Sequence, residues 1–101
     1  MNMQMIMQQA KKMQAQLQKD QEELEKTIYS GNSSIVDVKM NGKYEVVEVK
    51  VNLPVDETIS LDDKEMLEDM IMLAMNDAVK KIVADKEKKM GKYGQGVAGL
   101  M

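Results

Sequence analysis

Cysteine, histidine, arginine, tryptophan and phenylalanine are all missing from this chain of 101 residues, and proline occurs once. Each absence removes a class of function. Without cysteine there is no disulfide framework and no thiolate nucleophile, which fits a reducing compartment. Without histidine the usual neutral-pH base and the commonest side-chain metal ligand are gone. Carboxylates alone could support acid–base or Mg²⁺ chemistry, but the seventeen Asp and Glu residues fall mostly on helix faces expected to be solvated. No glycine-rich segment precedes a helix as a phosphate loop does. Neither catalysis, nor a metal, nor a cofactor, nor a small-molecule substrate is therefore expected. Tyr29, Tyr44 and Tyr93 are too few to stack single-stranded bases. No apolar run approaches the ~20 residues of a membrane span, and "MNMQMIM" sets its apolar residues before the first lysines, the reverse of a signal peptide. These features predict a cytoplasmic protein with no membrane partner.

What remains is enough for one small domain, predicted over residues 1–90. From Asn2 to about Lys26 strong helix formers carry an apolar heptad at Met3, Ile6, Ala10, Met13, Leu17 and Leu24, interrupted at Asp20. A β-meander follows: a short strand over Thr27 to Ser30, a turn at "GNSS", a strand from Ile35 to Met40, a two-residue Asn41-Gly42 turn, and a strand within Lys43 to Val51. Alternation puts Val36, Val38, Met40, Val47, Val49 and Val51 on one face, and Asp37, Lys39, Tyr44, Glu48 and Lys50 on the other. Ser60 with Asp63 reads as the cap of a second helix, Leu61 to about Met90, ending at Gly91. Residues 91–101, "GKYGQGVAGLM", read as a flexible glycine-rich tail. The fold class is α+β: a long N-terminal helix, a three-stranded antiparallel meander and a long C-terminal helix.

The second helix is apolar almost all the way round where Met70, Ile71, Met72, Leu73, Ala74 and Met75 run together. One side can lie on the valine face of the sheet, yet the opposite side needs cover that a narrow heptad seam does not supply. A second copy of the chain would complete the burial, so Met70, Ile71, Met72, Leu73 and Met75 are expected at a homodimer interface. Two other readings stay open: Met72 and Met75 are simply part-exposed, or they line a groove for partner peptides.

Charge is segregated beneath a net value of −3. Residues 56–77 hold eight acids and one lysine, residues 78–101 hold six lysines and two acids, and the first nineteen residues hold Lys11, Lys12 and Lys19 with no acid. The order in the second helix follows the helix dipole, whereas the first helix opposes it. The first helix enters the sheet and the second leaves it, so both basic segments are expected at distal ends, a footprint for a polyanion. Lys11, Lys12, Lys19, Lys80, Lys81, Lys88 and Lys89 are the candidate contacts. All fourteen basic residues are lysine, suited to phosphates rather than to the bidentate reading of guanine.

The Met/Gln/Lys-rich first helix, "VKMNGKYEVVEVKV", "LEDMIMLAMNDAVKK", "MGK" and the glycine-rich end together resemble the YbaB/EbfC family of bacterial nucleoid-associated DNA-binding proteins, over nearly the whole chain. "LED" at Leu67–Asp69 and "NDA" at Asn76–Ala78 carry most of the likeness; Leu73 stands where the family commonly has alanine. The resemblance implies a tweezer-like homodimer with a sheet-centred body and projecting helices. It also implies binding of duplex DNA with little or no sequence preference, a nucleoid location, and an influence on nucleoid organisation or gene expression. The alternative is a protein-interaction module whose helical arms grip another protein, its lysines serving solubility.

Overall fold

Helix α1, Met3–Lys26, starts at Asn2, whose side chain accepts the Gln4 backbone N–H, and ends where Thr27 turns to extended backbone. In the computed structural model, which describes residues 2–53 and 58–93, α1 is followed by β1 (Ile28–Ser33), β2 (Val36–Asn41), β3 (Val46–Val51) and α2 (Leu61–Met90). The strands form an antiparallel sheet in the order β1-β2-β3. The α+β class and all five expected elements are present.

Strand β1 is longer than the propensities of its residues suggest. It runs through Gly31, Asn32 and Ser33, which pair with Val38, Asp37 and Val36, so "GNSS" is mostly strand and the turn is Ser34-Ile35. Ser34 takes a left-handed backbone (φ 52°). Gly31 is needed for closeness: a β-carbon there would meet the Ala74 carbonyl oxygen and lie 2.5 Å from the Ala78 backbone nitrogen. Strand and helix thus touch backbone to backbone, which no residue but glycine permits.

The second turn also differs from expectation. Tyr44 N–H bonds to the Asn41 carbonyl and Asn41 N–H to the Glu45 carbonyl, giving a three-residue connection, Gly42 to Tyr44, in place of a two-residue Asn-Gly turn. Tyr44 carries the left-handed conformation (φ 65°), a position usually given to glycine. Asn41 stabilises the turn by accepting the N–H groups of Lys43 and Glu45. Gly42 is required because α1 ends against it: a β-carbon on Gly42 would stand 2.5 Å from the Leu24 carbonyl carbon and closer still to its oxygen. A bulge between Lys39 and Met40 then makes Val46, rather than Val47, the partner of Met40.

Helix α2 begins with the expected capping box, Ser60 and Asp63 bonding reciprocally. It lies chiefly over β1 and β2. Val36, Val38 and Met40 are buried beneath it with Ala74, Ala78 and Ile82, joined by Leu24 of α1 and Tyr29 of β1. Val46 and Val49, on the same apolar face, stay 40 % and 50 % exposed, since α2 lies chiefly over the other two strands.

The outer edge of β1 is closed by side chains of α2. Asp77 accepts the outward N–H of Asn32 at 3.0 Å, and the Lys81 ammonium donates to the outward carbonyl of Ser30 at 2.5 Å. These bonds occupy groups that would otherwise invite another strand. They also give Asp77 of the "NDA" segment a structural role. Helix α2 ends in a 3-10 turn, Gly91–Tyr93, so the first residues of the expected tail are ordered. Residues 94–101 of that tail lie outside the described residues.

Candidate nucleic-acid interface

Helix α1 packs on the body only from Leu17 onward. Leu24 is buried and Leu17 half-buried, while every described residue from Asn2 to Gln16 is exposed. The helix therefore projects as an arm and makes the molecule 72 Å long and 21 Å wide. Lys11 and Lys12 lie on this arm and Lys19 at its base, all exposed and, among the described residues, without an ion pair. Because no acid precedes Asp20, the arm is purely cationic.

The four candidates on α2 divide. Lys88 is exposed and has no ion pair among the described residues, beside the C-terminal half of α1. Lys89 lies 3.1 Å from Asp85 and is half-buried. Lys80 and Lys81 are not distal: Lys81 reaches β1 and sits 3.4 Å from Asp77, and Lys80 lines a shallow hollow with Asn32, Leu73, Asn76 and Asp77. The expected placement at the free end of α2 fails for these two because the helix overlaps the sheet as far as Asp85, which holds Tyr29. The structure thus gathers Lys11, Lys12 and Lys19 on one helix and Lys88 and Lys89 near its base, and leaves Lys80 and Lys81 on the body.

Of the acids beside this region Asp85 and Asp20 are engaged, whereas Glu23 lines the same hollow as Lys88 and Lys89 with no ion pair among the described residues. Asp85 accepts the Tyr29 hydroxyl and stands beside Lys89; that hydroxyl, then the ammonium, hold its carboxyl below the usual range, and burial with Asp85 pushes Tyr29 up to about 12. Asp77 is likewise held down, first by the Asn32 N–H and then by Lys81. Asp20, where the heptad breaks, is 8 % exposed. It accepts the Tyr93 hydroxyl, the Lys92 ammonium at 2.9 Å and the Gln16 amide at 2.9 Å, and these hold its pKa at about 2. Lys92 escaped the sequence reading because it sits in the glycine-rich end; the one signal for it was an acid at a seam position of the first helix.

The apolar segment of α2 divides in the same way. Met70, Ile71 and Met75 pack within the protomer against Val36, Val38 and Ala74, whereas Met72 and Leu73 are each 53 % exposed. Among the described residues no three His, Cys, Asp or Glu side chains gather as a metal site would need, and no helix is long and apolar enough to cross a membrane.

A nucleoid-associated protein of Ligilactobacillus salivarius is 37 % identical over 99 % of this chain and 95 % of its own length. One from Chloroflexus aurantiacus is 40 % identical over 99 % of both chains, and one from Legionella pneumophila is 39 % identical over 91 % of this chain and 80 % of its own. The crystal structure of an uncharacterized Helicobacter pylori protein superposes with a TM-score of 0.70 at 22 % identity, covering 92 % of this chain and 97 % of that one, which shows a shared fold. The model of the YbaB/EbfC DNA-binding family matches residues 1–97, and the chain belongs to that family.

Proposed function

We propose that this protein is a nucleoid-associated protein that binds duplex DNA as a homodimer, with little or no sequence preference, and thereby affects nucleoid organisation and gene expression. The observation that carries this reading is the acid-free arm, with Lys11, Lys12 and Lys19 exposed and free of ion pairs among the described residues. Flexible ammonium groups on a projecting helix suit phosphates, and without arginine there is no rigid fork to read base edges. Affinity then comes chiefly from released counterions. The family and the names of the relatives support DNA as the partner. The function calls for no catalysis, metal, cofactor or small-molecule substrate, and its place is the nucleoid within the cytoplasm.

The dimer is supported by what one protomer leaves uncovered. Val46 and Val49 stand on the open β3 side of the sheet, and Met72 and Leu73 on the outer side of α2, while the β1 edge is closed by Asp77 and Lys81. Met70, Ile71 and Met75 then belong to the protomer's own core margin, with Met72 and Leu73 the better interface candidates.

One observation favours a second reading, a module whose arm grips another protein: Met3, Met5, Ile6, Met7 and Met13 are all 46 % exposed or more. Binding of several unrelated duplexes at graded salt separates the two. Phosphate contact makes log K fall linearly with log salt, by about 0.9 for each phosphate neutralised, alike for every duplex. Absence of binding at low salt, or binding indifferent to salt, refutes the DNA reading.

A further inference from the structure

We infer that Asp20, Lys92 and Tyr93 form a clasp that sets where arm α1 leaves the body, and that Asp20 is thereby a positioning residue for the lysines the arm carries. This rests on the DNA-binding reading and assigns Asp20 a role that works through the arm's lysines.

Two elements bring three partners to one carboxylate. Asp20 comes from α1, Lys92 and Tyr93 from the 3-10 turn after α2, and Gln16 from one helical turn further out on the arm. The Asp20 side chain is 11 % exposed, and its charge is answered by an ammonium and two neutral donors. Outward of this point only Leu17 is even half-buried. The next tie inward is Leu24, packed with Ile82 and Met40. Opening the clasp would move the last firm anchor of the arm inward by four residues, about 6 Å along the helix. Lys12, eight residues beyond Asp20, would then swing on a longer and looser lever.

Ordering the arm before DNA arrives lowers the entropy lost on binding without adding a contact. The clasp and a plain charge effect therefore predict opposite signs. Asp20→Asn removes a negative charge from a cationic arm, which by Coulomb's law alone would tighten DNA binding. Loss of the clasp would weaken it. Tyr93→Phe removes one clasp bond and changes no charge.

The test uses the full-length chain as wild type, Asp20→Asn and Tyr93→Phe, with circular dichroism confirming equal helix content. Hydrogen exchange followed by mass spectrometry should quicken in residues 13–19 and 88–93 of both variants, with the strands unchanged. Duplex DNA titrated at several salt concentrations should bind each variant several-fold more weakly than wild type, at an unaltered salt slope. Unchanged exchange overturns the clasp, and tighter binding by Asp20→Asn overturns the positioning role. If the wild-type chain leaves DNA unbound, the functional reading fails and the positioning role with it, while the exchange data still decide the clasp.

Discussion

Gly31 of β1 lies against Ala78 of α2 so closely that a β-carbon on the glycine would sit 2.5 Å from the Ala78 backbone nitrogen and 2.9 Å from its methyl group. The approach spans 47 positions of sequence and sets how deeply α2 beds on the sheet. Backbone atoms form most of the obstacle, so there is no flexible side chain to give way.

Gly31→Ala should therefore destabilise the protein by about 1–3 kcal/mol, the usual cost of overpacking, or more if helix and strand separate. Urea unfolding measures it: the midpoint should drop while the slope stays constant. A midpoint equal to wild type would show that α2 can shift freely.

Light scattering after size exclusion should return twice the chain mass of 11.4 kDa. Leu73→Glu should return a single chain with helix content retained, because Leu73 is 53 % exposed in the protomer and a glutamate there is harmful only if a second copy covers it. Substitution at Met70 or Ile71 would not discriminate, since both pack on Val36, Val38 and Ala74 of their own chain.

Lys11→Ala and Lys12→Ala should each flatten the dependence of log K on log salt by about one unit, and unrelated duplexes should weaken together. Lys39→Ala should do much less, for Lys39 is paired with Glu48 at 3.4 Å on the sheet. Lys81→Ala should lower the unfolding midpoint, through loss of its bond to Ser30, as well as any effect on DNA. Salt-dependent binding measured beside urea unfolding separates these outcomes; normal binding by both arm variants would refute the proposed surface.

Asp20 has a folded pKa of about 2, below its ordinary 3.8, so the bound form is the carboxylate. A depressed pKa contributes stability that is present in full above the unfolded value and lost as pH falls through the folded one. The stability difference between wild type and Asp20→Asn should thus be constant from neutral pH down to about 5, and shrink between about pH 4 and 2. Denaturant midpoints measured across that range check the sign; a difference that grows on acidification would contradict it.

The helices and strands of this protein were written in local chemistry. The capping box of Ser60 and Asp63, the run of helix formers from Met3 to Lys26 and the alternation of Val36, Val38 and Met40 act between residues a few positions apart, which is why they could be read without coordinates. The segregation of lysine from acid, and the absence of arginine, histidine and cysteine, are likewise properties of the chain itself, and the expectation of phosphate contact rested on them. What only the tertiary structure decided were distances across the fold. Gly31 looked like a turn residue, and Gly42 like nothing more than one, until α2 and the end of α1 were found against them. Lys80 and Lys81 looked distal until the overlap of α2 with the sheet became visible, and Asp20 looked like a defect in a seam until Lys92 and Tyr93 arrived from more than seventy residues away. Those relationships depend on where two helices cross one sheet, a consequence of packing that local propensity does not encode.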